Sequence, residues 1–166
     1  MSLNSDFTIC INTLTPPIYV STTDYTVEEL VKEVLVGNEC LVSNVTWSTG
    51  ISHGESGNGI AYFNRNGSSF TLEDGIVLNT GHANTVVGPA NGLTTSGGNW
   101  PGDQQLFDYM VAQGLDVDDY NDATILEFDF VPTKADFSFD FVFSSNEYGQ
   151  YQCSFSDAFA FFLTDQ

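Results

Sequence analysis

The sequence predicts a mostly β protein, an antiparallel β-sandwich of jelly-roll type with two short helices packed on it. Fourteen Phe and seven Tyr stand in a chain with only 15% charged residues, and aromatic side chains favour strands, where they pack on a pleated surface. Short apolar runs are separated by Gly, Asn and Ser, which is typical of strands joined by tight turns. Fifteen Gly supply those turns, so the composition favours a sandwich or barrel.

The length is that of one domain. A chain of 166 residues with 42% hydrophobic residues is long enough to bury a core of its own. We expect residues 1–24 to form an extended lead-in, broken at Pro16-Pro17, and residues 25–166 to form one β-sandwich domain that is incomplete at its C-terminus. Residues 1–4 have no basic or apolar run, so no signal peptide is visible, and no segment reaches the roughly 20 apolar residues of a membrane span.

Two helices are predicted. Thr26 and Glu29 form a capping box at the start of the first helix, and Gly37 ends it. Asp103 caps the second helix, which ends at Gly114. Each helix carries one apolar stripe that should pack on a sheet; the stripes are Val27, Leu30, Val31, Val34 and Leu35, and then Leu106, Phe107, Met110 and Val111.

Strands are predicted over residues 41–47, 59–64, 68–72 and 75–80, followed by a long loop over 81–102. The densest β signal comes later, where residues 123–131 and 136–144 flank a turn and read as a hairpin. Alternation places two apolar rows on one side of this hairpin, and we expect the rows to form the main core; they are Leu126, Phe128 and Phe130, then Phe137, Phe139, Phe141 and Phe143. A last strand is expected over 157–163.

Charge excludes some partners and favours another. Twenty-two acidic residues face three basic ones, giving −19, and such a surface repels nucleic acid and anionic lipid. Divalent cations, above all Ca²⁺, are natural counter-ions for so many carboxylates. The alternative is that the acidity serves only solubility.

Three acidic groups are candidates for a cation site. The outer face of the hairpin carries Glu127, Asp129 and Asp140, which are either solvated, bound to a cation or, as paired carboxylates, catalytic in a glycosidase. Residues 116–122 form an oxygen-rich run that lacks the EF-hand pattern. Glu147 and Asp157 flank a polar interruption between two apolar segments, and we predict that they bind Ca²⁺ with Asp103 as a third ligand; a structural turn is the alternative.

Signals for catalysis are weak, and we predict that the chain is not an enzyme. Ser56 lacks the spacing of a nucleophile elbow, and His53 and His82 lack zinc-ligand spacing. Trp47 and Trp100 could instead stack on a sugar, with Trp100 in the long loop as the favoured residue, although Trp is usually buried. Cys10, Cys40 and Cys153 are not spaced as a zinc site; in an exported chain one pair could form a disulfide, leaving one Cys over.

Several blocks in order resemble the choice-of-anchor L domain of bacterial secreted and cell-surface proteins, especially those of Bacteroidetes. The resemblance covers residues from about 23 to the end, as an N-terminal portion of the domain. The matching blocks are VSNVTW at 42–47, DGIVLNTG at 74–81, WPGD at 100–103, ATILEFDFVP at 123–132, FVFSSNEY at 141–148 and CSFSDAFAFFL at 153–163.

The resemblance implies export, surface display and adhesion, with anchoring often through a type IX secretion sorting domain, and it implies no enzymatic activity. It also implies a disulfide between Cys40 and Cys153, with Cys10 spare. Family modules continue past the segment that resembles residues 161–166, so we expect an open sheet edge that invites self-association or strand donation by a partner.

The leading hypothesis is therefore a non-catalytic, extracellular or cell-surface module for adhesion or structural display, stabilised by Ca²⁺, with an unknown surface glycan or protein as partner. One alternative is a carbohydrate-binding module that uses Trp100. Another is half of a glycoside hydrolase that uses Glu127 and Asp140, and it requires a cleft between two carboxyl groups roughly 5–10 Å apart.

Overall fold

The structure is a computed structural model that describes residues 15–38, 41–55, 57–87, 100–117, 120–145, 151 and 157–165. Within them the chain forms strands β1 to β5 and helices α1 and α2. In chain order the elements are β1 (Tyr19–Ser21), α1 (Val27–Glu29, continued by a π-helical segment Leu30–Leu35), β2 (Val42–Ser48), β3 (Ile60–Asn64), β4 (Asp74–Leu78), a 3₁₀ helix (Ala83–Val87), α2 (Gln104–Ala112) and β5 (Ile125–Phe130).

Helix α1 begins as predicted. The Thr26 hydroxyl accepts a hydrogen bond from the Glu29 backbone N–H at 3.2 Å, and the Glu29 carboxylate accepts one from the Thr26 N–H at 2.7 Å. These bonds complete the capping box and satisfy N–H groups that have no partner within the helix. Gly37 follows the helix with φ +67°, the left-handed conformation that favours glycine.

Two antiparallel sheets are present in the described residues. One has the order β1-β3-β4, with Tyr62 of β3 paired to Ser21 on one side and Ile76 on the other. The other contains β2 and β5, with Trp47 opposite Leu126. The register shifts between Ser43 and Thr46, where Asn44 has φ +52°. This is a bulge, which bends a strand and changes its pairing.

The buried core lies where α1 meets both sheets. Val27, Leu30 and Ile60 form its centre, each 1% exposed or less. Both sheets contribute side chains that pack around this centre; they are Val45, Tyr62, Ile76 and Leu126. The predicted apolar stripe of α1 is therefore confirmed for its first turns, whereas Leu35 at its end is 44% exposed.

Helix α2 also begins at the predicted cap. The Asp103 carboxylate accepts a hydrogen bond from the Leu106 N–H at 2.7 Å, and Gly114 after the helix has φ +78°. None of its residues is fully buried. Phe107 stacks on Tyr120 at 4.6 Å between ring centroids, so the helix is held at the side of the fold rather than in its core.

Three strand predictions are wrong. Residues 68–72 form bends, because local hydrogen bonds replace strand pairing: the Asn64 side chain accepts from the Asn66 N–H at 2.8 Å, and the Ser68 hydroxyl accepts from the Phe70 N–H at 3.2 Å. Residues 136–144 and the described residues of the 157–163 segment are also outside the strands. Conversely, β1 lies within the lead-in for which no strand was predicted, since its ladder depends on distant β3.

The fold class is thus confirmed at the level of antiparallel sheets with two short helices. The expected main core is corrected, since the second Phe row is exposed and the centre of the core is at α1.

Candidate functional site

An exposed patch of phenylalanine rings is the most prominent surface feature of the described residues. Two neighbouring segments contribute to this patch, which we call the phenylalanine face. Its members are Phe137, Phe139, Phe141 and Phe143 from the first segment and Phe159 and Phe161 from the second. All six are 41–58% exposed, and half of six Phe side chains amounts to about 600 Å² of apolar surface. An apolar patch of about 600 Å² is at the upper end of the range for the largest patch on a soluble monomer, and such patches are often functional.

Ring contacts fix the arrangement of the two segments. Phe139 meets Phe161 at 4.2 Å between centroids, and Phe141 meets Phe159 at 5.7 Å. Numbers rise along one segment as they fall along the other, so the segments run antiparallel. Phe137, Phe139 and Phe141 follow each other at 6.5 and 6.4 Å, which is close to the two-residue repeat of an extended chain. The alternation predicted from sequence is therefore present without a backbone ladder.

The phenylalanine face continues the apolar side of β5. Leu126 packs against the buried core, and Phe130 contacts Phe137 at 5.3 Å. Phe128 and Phe130 follow Leu126 on the same side of β5 and are half-buried. Burial thus decreases from the part of this side that α1 covers toward the phenylalanine face. The apolar side of the sheet region extends beyond the helix that covers it.

Helix α2 lies on the other side of the second segment. Phe162, one residue out of step with Phe159 and Phe161, contacts Tyr109 of α2 at 5.8 Å. Because alternate residues of an extended chain point to opposite sides, α2 does not cover the phenylalanine face. The same alternation places Asp157 and Asp165, both exposed, on the side of Phe159 and Phe161, at the two ends of that row.

The acidic face of β5 is paired with polar side chains. The Asn44 amide donates to the Asp129 carboxylate at 2.6 Å, and the Thr46 hydroxyl donates to Glu127 at 3.3 Å. These hydrogen-bond donors from β2 stabilise the two carboxylates, for which the sequence indicated no donor. Among the described residues, no group of three or more His, Cys, Asp or Glu side chains is placed to hold a metal.

The predicted Ca²⁺ ligands are not brought together by the described contacts. Asp103 is engaged as the cap of α2, and Asp157 is exposed at the end of the phenylalanine face. Glu147 lies outside the described residues, as do Cys40 and Cys153 of the predicted disulfide. The run 116–122 is described only in part.

Trp100 is buried, so the expectation of an exposed ring is wrong. It is 6% exposed, and its indole N–H donates to the Ala123 carbonyl at 2.9 Å. Its backbone N–H donates to the Asp122 carboxylate, also at 2.9 Å. Gly50 lies so close that a Cβ at this position would overlap the Trp100 side chain. The ring therefore has no open face for a sugar and serves to join loops.

Trp47 is the exposed tryptophan. It is 44% exposed and lies at an open depression of about 400 Å³ formed by residues 47–52. The Thr49 hydroxyl beneath it donates to the Ile51 carbonyl at 2.8 Å. The sequence named both tryptophans and favoured Trp100 as the exposed ring, because the burial of Trp100 depends on long-range contacts that the sequence does not show. Glu127 and Asp140, the residues of the glycosidase alternative, do not line this depression.

No helix of the described residues is long and apolar enough to cross a membrane. No curated protein and no solved structure matches the chain. A family model for the choice-of-anchor L domain matches residues 19–166. Domains of this kind are found in surface or secreted proteins and are generally non-enzymatic. Since the match spans most of the chain, the protein belongs to the choice-of-anchor L domain family and is a surface-associated module.

Proposed function

We propose that the chain is a non-catalytic module for adhesion or structural display, and that it binds other surface polypeptides through the phenylalanine face. The observation that carries this proposal is the exposure of six contacting Phe rings in a family of surface-associated domains. Removing apolar surface from water stabilises an interface by roughly 25 cal/mol per Å². A face of this kind is therefore suited to binding, and its six members include no acid or nucleophile.

The test is adhesion of cells that display the chain. A non-adherent bacterial host carrying the protein on its surface should be retained severalfold better under flow on a polypeptide-coated support than the host alone. Phe139→Ser with Phe161→Ser should return retention to the level of the host, because both sides of the central ring contact become polar. Antibody staining must show equal surface amounts.

Leu35→Ser provides the matched control. It also removes an exposed apolar side chain, 44% exposed at the end of α1, but lies outside the phenylalanine face. It should leave retention unchanged. Retention that equals the host's, or that survives the double Phe substitution, would contradict the proposal.

A carbohydrate-binding module is the second candidate, with Trp47 in place of Trp100. An exposed indole beside a polar depression can stack on a sugar ring, and Ser48 and Ser52 supply hydroxyl groups at its border. On a glycan array, Trp47→Ala should abolish any signal of the wild-type chain. A signal that persists in this variant rejects Trp47 as the stacking residue.

A further inference from the structure

We infer that the phenylalanine face takes the apolar side of an extended partner polypeptide whose ends carry Lys or Arg. This inference rests on the proposed function and adds the chemistry of the partner to it. The apolar surface explains why the face binds a polypeptide, but it does not explain which polypeptide binds. The charges around the face determine the choice of partner.

Two carboxylates bracket one of the two rows of the phenylalanine face. Asp157 and Asp165 lie at the ends of the row that contains Phe159 and Phe161, and both are exposed. They are eight positions apart, which spans about 26 Å in an extended chain. A partner strand that lies over this row meets a negative charge at each end and rings between them. Opposite charges at such positions favour binding and set its register.

A second copy of this chain is a poor occupant. Each copy has a net charge of −19 and only three basic residues. Lys32 already pairs with Glu28 at 2.6 Å, and Arg65 pairs with Glu73. Among the described residues, Lys134 is then the single Lys or Arg outside these ion pairs. A second copy would therefore offer one free basic side chain to two carboxylates. Self-association would place Asp next to Asp, whereas a basic polypeptide places opposite charges there.

The direction of approach is also defined. Tyr109 of α2 contacts Phe162 on the opposite side of the same segment, so that side is already occupied. Packed sheet layers lie about 10 Å apart, with side chains meeting between them. The partner therefore adds a layer over the rings, continuous with the core side of β5, where Leu126 is already covered.

The experiment uses two labelled β-hairpin peptides that alternate Val and Thr. One has Lys at two positions eight residues apart, and the other has Glu there. Binding to the intact chain is measured by fluorescence anisotropy in chelator at low salt. We expect the Lys peptide to bind at least about tenfold more tightly, with the difference shrinking at salt concentrations of about 0.5 M as charges are screened.

Two double variants and one control separate the contribution of the carboxylates from that of the rings. Asp157→Asn with Asp165→Asn should remove the preference for Lys while both peptides still bind. Phe139→Ser with Phe161→Ser should abolish binding of both, and Leu35→Ser should leave both affinities unchanged. Circular dichroism melts confirm that each variant is folded.

Equal affinity of the two peptides, with adhesion that still depends on the Phe rings, would overturn the inference and leave the proposed function standing. Adhesion and peptide binding that are both insensitive to the Phe substitutions would overturn both. A concentration-dependent dimer in sedimentation, lost in the Phe variant, would identify a second copy as the occupant and so also overturn the inference.

Discussion

At the scale of single residues, Trp100 shows how one side chain can join distant parts of the chain. Its indole N–H and its backbone N–H bind the 122–123 region, and the Asp122 N–H donates back to the Trp100 carbonyl at 2.8 Å. Asp122 has φ +60°, a conformation that Asp tolerates better than most residues. Gly50 closes over the ring because it has no side chain.

We predict that Gly50→Ala lowers the free energy of unfolding by about 2–3 kcal/mol, because the new methyl group overlaps the buried Trp100 side chain. Urea unfolding, followed by Trp fluorescence, measures this change in the free energy of unfolding. Gly50 has φ +74°, so part of the loss comes from backbone strain rather than from the overlap.

Gly114→Ala isolates that part. Gly114 has φ +78°, but a Cβ added there would meet no heavy atom within 4 Å. The substitution should cost only about 1 kcal/mol, as expected for Ala in a left-handed conformation. Equal losses of unfolding free energy in the two variants would show that the methyl group added at Gly50 does not overlap the Trp100 ring.

At the scale of elements, the signals that sequence reads well are local. Thr26, Glu29 and Gly37 predicted both ends of α1, because a cap is made between residues three or four positions apart. β1 could not be predicted in this way, since three residues gain their strand conformation only from pairing with β3. The alternation of the Phe rows was predicted correctly, but the prediction that the second row lies in the main core was wrong. Alternation shows which side chains share a face, and it does not show whether a second layer covers that face.

The capping box gives a pH prediction for α1. Hydrogen bonds from the Thr26 N–H and hydroxyl lower the pKa of Glu29 below its ordinary value of 4.5. A lowered pKa in the folded state means that ionised Glu29 stabilises the fold above pH 4.5, and that this contribution is lost as pH falls through the lowered pKa. Glu29→Gln should therefore be less stable than wild type at neutral pH and approach it under acid conditions.

Thr26→Ala provides the background for this comparison. Alone, it should lower stability at neutral pH by about 1 kcal/mol through loss of the cap. In a Thr26→Ala chain the effect of Glu29→Gln at neutral pH should be smaller, because the hydroxyl donor to the Glu29 carboxylate is gone. A Glu29→Gln effect that is independent of pH would show that the charge of Glu29 has no part in the cap.

At the scale of the whole molecule, charge and apolar surface are separated. Glu127 and Asp129 lie on one side of β5 with donors from β2, while Phe128 and Phe130 lie on the other. The sequence predicted this separation from the period of two. It could not predict the donors, because Asn44 reaches Asp129 only through a bulge in a strand 85 residues away.

Thermal melting can test the role of the −19 charge together with the Ca²⁺ site that the sequence predicts at Glu147, Asp157 and Asp103. Any salt that screens self-repulsion should raise the melting temperature, so NaCl at matched ionic strength is the necessary control. A ligand that binds only the native state adds a further rise by mass action. We predict that CaCl₂ raises the melting temperature by several degrees beyond matched NaCl, and that chelator reverses the difference. Glu147→Ala should lose the difference while keeping the NaCl response, because it removes a ligand and not the general repulsion. Equal shifts in the two salts would mean that the carboxylates act as solvated surface charge, and would leave the phenylalanine face as the binding feature to pursue.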